Sequence, residues 1–202
     1  MSGKGDYDCI IPLGDTCNIT FLLQNAKLKK QTTLFEWFVS KSLNSITKVI
    51  SNLSENKIIF NGTHTLINDY NIFTGHYKDN FEELYERRSN RLVDCIKSSK
   101  KILFIRFEVN STDYTYDDIE DFVKSIKSIN PDCEVKLLLI GSISYSVNHP
   151  CLLCNFYSMQ KQQQDPYCEG EEINSFFINA LKEVGYNINQ KEEIIFNDLS
   201  LY

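Results

Sequence analysis

Short apolar runs of strand length alternate with amphipathic stretches of helical length along most of this chain, and that alternation narrows the fold more than any other feature. Lys101-Ile102-Leu103-Phe104-Ile105-Arg106-Phe107 reads as a strand buried on both faces, and Glu134 to Ile140, ended by Gly141, repeats the pattern. Between them Asp117 to Ile129 has helical spacing, acidic residues in the first turn where the helix dipole favours them, and Asn130-Pro131-Asp132 as a stop. Strands joined through helices need crossover connections, which make them parallel and cover both faces of the sheet. The expected fold is α/β, a three-layer sandwich with a mainly parallel central sheet and helices on both faces, in a single domain over residues 1–202.

The remaining segments follow the same grammar. Cys9-Ile10-Ile11-Pro12-Leu13, stopped by Gly14, predicts a first strand, and Cys17 to Lys29 predicts the helix after it, with Ile19, Leu22, Leu23 and Ala26 near helical spacing. Asp15 or Thr16 is placed to cap that helix, because a short side-chain oxygen accepts from an orphan backbone N–H. Ser42 to Leu53 predicts a second helix, and Phe81 to Lys97 a third, with Arg87, Arg88 and Arg91 on the side away from its apolar residues. Leu152 to Tyr157 predicts a strand, Glu171 to Val184 a helix closed by Gly185, and Glu193 to Phe196 a last short strand. Ser54 to Asp79 reads as a polar, irregular segment that carries His64 and His76.

Charge narrows the partners. A net charge of −6 and a pI of about 5.1 leave no global basic field, so neither nucleic acid nor an anionic membrane is an expected partner. No secretory signal is visible and no apolar run approaches the roughly 18 residues of a membrane span, which points to a cytoplasmic protein. Seven scattered cysteines, an odd number, fit reduced thiols better than a disulfide framework. Nineteen asparagines with many Ile and Lys suit an AT-rich coding sequence, as in several large DNA viruses, so a viral protein would work in the host cytoplasm. The sequence leaves the oligomeric state open.

The candidate chemistry centres on the turn Gly14-Asp15-Thr16-Cys17. In open parallel sheets ligands bind beyond the carboxyl ends of the strands, where Cys17 is expected. A thiol at a helix start feels the positive end of the dipole, which favours thiolate, and nearby backbone N–H groups can hold an oxyanion. The alternative is a cysteine that merely packs under the sheet. A nucleophile needs a base, and His76, in Phe73-Thr74-Gly75-His76-Tyr77, is the first choice over His64 and His149. Asp15, Glu36 and Asp79 are carboxylates available to orient it. His149, Cys151, Cys154 and Cys168 make a conceivable zinc set, but a spacing of three within a strand sends Cys151 and Cys154 to opposite faces, so no metal or other cofactor is expected.

These residues resemble a known family. Ile11-Pro12-Leu13-Gly14-Asp15-Thr16-Cys17, Leu34-Phe35-Glu36-Trp37, Tyr85-Glu86-Arg87-Arg88-Ser89-Asn90-Arg91 and Leu103-Phe104-Ile105-Arg106 look like a poorly characterised family of papain-like cysteine peptidases. Its pattern has a Leu-Gly-x-x-Cys turn, a Pro-Phe-Asp-Trp element, an aromatic-x-His segment, an Arg-Arg-x-x-Arg helix and a Phe-x-Arg strand. The resemblance implies Cys17 as nucleophile, His76 as its partner and a peptide or protein substrate. Leu34 and Glu36 depart from the proline and aspartate of the pattern. Papain-like enzymes set the cysteine helix against a largely antiparallel barrel, whereas the alternation predicts a parallel sheet. Two other readings stand beside this one. A non-catalytic, host-directed binding domain would keep the scaffold without chemistry. A Gly-Asp-Ser-type esterase would place Thr16 where its serine lies, although 187–202 holds no histidine for such an enzyme's late Asp-x-x-His pair.

Overall fold

The computed structural model describes residues 7–14, 17–29, 31–60, 64–68, 70, 72–74, 81–108, 114–141, 147–156 and 170–186. Four strands, β1 (Cys9–Pro12), β6 (Lys101–Glu108), β7 (Glu134–Gly141) and β8 (Leu152–Phe156), form one sheet in the order β1-β6-β7-β8. Every pairing in it is parallel, with Ile11 opposite Phe104 and Phe104 opposite Leu137. This is the parallel sheet that the apolar runs predict.

Period-two alternation along β6 sends its side chains into two cores. Ile102 and Phe104 join α2 (Leu43–Ser51), α3 (Phe81–Ser98) and α4 (Tyr116–Lys127) through Ile46, Leu92, Ile96 and Phe122 on one face. Leu103, Ile105 and Phe107 join α1 (Asn18–Asn25) and α5 (Glu171–Glu183) through Ile19, Leu22, Phe177 and Leu181 on the other. The sheet is thus the middle of three layers.

Helix ends follow local chemistry. Thr115 and Asp118 make a reciprocal capping box at the start of α4. Helix α1 stops before the expected Lys29, because Lys27 takes a left-handed φ of 57° while the N–H of Leu28 donates to Leu23 O and that of Lys27 to Gln24 O. No glycine announces that stop.

The segment read as irregular holds three of the four strands of a second sheet. β2 (Val39–Ser40), β3 (Ile58–Phe60), β4 (Thr65–Ile67) and β5 (Ile72–Thr74) pair antiparallel in the order β2-β5-β4-β3. Ile67 and Ile72 reach the same core as α2 to α4, so this sheet packs with that layer. The final strand expected at 193–196 lies outside the described residues. The thiols also differ from expectation: Cys9 of β1 and Cys95 of α3 are paired as a disulfide across a sequence separation of 86, which spacing along the chain does not reveal.

Candidate active site

The turn after β1 is built around a buried arginine. Arg106, near the carboxyl end of β6, has no solvent exposure. Its Nη1 donates to Leu13 O (3.2 Å), Gly14 O (2.8 Å) and Ser40 Oγ (2.6 Å), Nη2 donates to Ser40 O (2.8 Å), and Nε donates to the Tyr114 hydroxyl (3.2 Å). The Ser40 hydroxyl donates to Gly14 O as well. A guanidinium can satisfy this many acceptors in one plane, and burying it without them would be costly. Gly14 is required by close approach: a Cβ there would lie 2.6 Å from Phe35 O and closer still to Phe38 O. The carboxyl ends of β1 and β6 and the start of the antiparallel sheet are therefore locked to one another at this turn.

Cys17 stands at the N-cap of α1 and is half-buried. Its carbonyl accepts from the N–H groups of Thr20 (3.0 Å) and Phe21 (3.2 Å), while its side chain makes no capping hydrogen bond. Burial pushes the Cys17 thiol up from its ordinary value, and a hydrogen bond from its own backbone only partly offsets this. The neutral thiol is therefore favoured over thiolate at neutral pH, the reverse of what a helix start alone predicts. Asp15 and Thr16, the expected cap and orienting groups, lie outside the described residues.

Glu36 is fully enclosed in the loop that faces this turn. Oε1 accepts from the Thr33 N–H (2.7 Å) and Oε2 meets Lys29 Nζ (2.7 Å). Burial pushes its carboxyl up, against the opposing pull of Lys29, Thr33 and Arg88. Arg88 donates to Glu36 O and Arg91 to Thr32 O, each at 3.5 Å, so two arginines of the family-like helix grip this loop. Arg87 is exposed, but Arg88 is buried, so the three arginines do not form the one solvated face expected of them. Next in the chain, Trp37 adopts a left-handed φ of 67°, sets its ring edge-on to Phe21 of α1 at 5.2 Å, and lies 5.6 Å from Lys29 Nζ. Leu34, where the family pattern has proline, is buried in the core. Glu36 thus ties its own loop to Lys29 and Thr33.

Sequence alone singles out three histidines. His149 precedes β8, at the amino ends of the strands and so at the opposite edge of the sheet from Cys17. Its Nε2 meets Glu120 Oε2 at 3.1 Å, its Nδ1 accepts from the Cys151 N–H at 3.1 Å, and Tyr116 lies against the ring. Both nitrogens are occupied, which leaves neither for a metal or a thiol. Among the described residues no group of three or more His, Cys, Asp or Glu could hold a metal ion, and Cys168 lies outside them. His76 also lies outside the described residues, as do Gly75 and Asp79. The strand that precedes it in sequence ends near Gly14: Val39 of β2 pairs with Phe73 of β5, and the Phe38 carbonyl closely approaches Gly14. His64 immediately precedes Thr65, which pairs with Thr74, and so sits at the same end of the antiparallel sheet.

Arg106 and Ser40 are the site residues that sequence reasoning left without a role. The signal was an arginine inside an otherwise apolar strand, a position where charge persists only with a purpose-built set of partners.

No family model matches the chain. It is 24% identical to a protein of Acanthamoeba polyphaga mimivirus, uncharacterised protein R408, over 59% of this chain and 70% of that protein. No solved structure matches it. The chain therefore has a viral relative, and no helix among its described residues is long and apolar enough to cross a membrane.

Proposed function

We propose that this protein is a cysteine hydrolase of papain-like peptidase type, in which His76 takes the Cys17 proton and the thiolate attacks a carbonyl of a peptide or protein substrate. The observation that carries the reading is the lock at the end of β1: Ser40 and the buried Arg106 hold Gly14, three residues before Cys17, at the carboxyl edge of the parallel sheet. The antiparallel sheet supports it, because β5 ends there just before His76. A cysteine helix from one sheet and a histidine from an antiparallel one would reconcile the family resemblance with the parallel fold. The viral relative and the asparagine-rich composition favour a viral origin and work in the host cytoplasm.

The raised thiol makes the test direct. A lone Cys17 labels with iodoacetamide only as pH approaches its raised pKa, whereas a thiol paired with imidazole labels in mild acid. Wild-type protein should be modified first at Cys17 near pH 6, and His76→Ala should slow that reaction at least about tenfold. Labelling of Cys17 that follows a single high pKa in both proteins would refute the pair. The second reading, a non-catalytic binding domain, draws on the raised thiol and on Glu36 being bound to Lys29 and Thr33. It expects wild type and Cys17→Ala to capture the same partner equally, with no uptake of a mechanism-based probe.

A further inference from the structure

We propose that Cys9 and Cys95 form a reversible dithiol–disulfide pair that exchanges with a small zwitterionic peptide thiol of the glutathione class, admitted through a cavity at the β1 edge. β1 is an outer strand of the parallel sheet, and beside it opens a cavity of about 740 Å³, within the ~300–1,000 Å³ of small-ligand sites. Cys9 and Cys95 are half-buried and both line it, so the cavity is the approach by which an incoming thiol would meet the pair. Ile10, Pro12 and Leu28 supply apolar lining, and Asp8, Asp94, Lys29 and Lys97 supply charge of both signs. Carboxylates and ammonium groups around apolar surface complement a ligand that carries both signs of charge.

The exchange balances. The thiolate of the ligand attacks one cysteine sulfur, the Cys9–Cys95 bond breaks, and the departing cysteine thiolate takes a proton from water. A second ligand thiolate attacks the mixed disulfide, releasing the ligand disulfide and the other cysteine. Two ligand thiols are oxidised to one disulfide while the protein disulfide is reduced by two electrons. In a reducing compartment a pair of this kind persists as a transient one, which suits a redox-responsive tie between the edge strand and α3.

The full chain, equilibrated across ratios of reduced to oxidised glutathione, acid-quenched, alkylated and mapped by mass spectrometry, tests this. Cys9 and Cys95 should convert together in one two-electron transition, while Cys151 and Cys154, free and at least partly exposed in the structure, stay alkylatable throughout. Ser98→Trp, at the exposed end of α3 on the cavity wall, should slow reduction about fivefold without moving the midpoint. Cys17→Ser should leave the transition unchanged, which separates this inference from the hydrolase reading. Free Cys9 and Cys95 at every ratio, a pair that is reduced only after denaturation, or a Ser98→Trp rate equal to wild type would each overturn it.

Discussion

Replacing Arg106 by Met should destabilise the protein by about 3–5 kcal/mol in urea titrations, because Gly14 O and Ser40 O would stay buried without their donor. Arg106→Lys should recover little of this, since an ammonium cannot span acceptors arranged for a planar fork. Glu36 gives a second residue-scale expectation. Burial raises its folded-state pKa, so the folded protein holds that proton more tightly than the unfolded chain does. Its contribution to stability is then present in acid and is lost as pH rises from the ordinary carboxylate value through the raised one. Glu36→Gln, uncharged throughout, should flatten that fall in urea midpoints measured between about pH 4 and 8, and an unchanged slope would assign the pH dependence elsewhere. The place of Cys17, after β1 and at the start of α1, was legible because strand and helix start are local patterns. The partners of Glu36 were not, since Lys29 and Thr33 gain their meaning only once the loop closes on itself.

At the scale of elements, α3 ends on a borrowed cap. Asn130 Nδ2, which follows α4, donates to Ile96 O (2.8 Å) and Ser99 O (2.9 Å), serving carbonyls that the end of a helix leaves open. Asn130→Ala should cost about 1–2 kcal/mol in thermal or urea unfolding, and Asn130→Asp should not rescue it, because a carboxylate cannot donate. Long elements were readable: α3, β6, α4 and β7 each repeat their period often enough to declare it. The antiparallel sheet was not, because strands of two or three residues show no alternation and Asn68 turns the chain with a left-handed φ of 47°.

Across the whole molecule, the three-layer plan was legible because a sheet buried on both faces needs unbroken apolar strands, and β6 and β7 supply them. What pairs with what was less so, and the neighbour of β6 on one side is the distant β1. β6, α4 and β7 are consecutive and can associate through short-range contacts. β1 must wait until α1, the antiparallel sheet and α3 have been threaded between it and its partner, so closing that loop carries an entropic cost not met by local contacts. The order of assembly should follow. In stopped-flow chevron analysis Leu137→Ala should have a φ-value of about 0.5 or more, and Ile11→Ala about 0.2 or less. The refolding protein would then hold a formed half-sheet before its edge strand β1 is added. The turn that carries Cys17 would close only when β1 docks on the half-sheet already formed by β6 and β7.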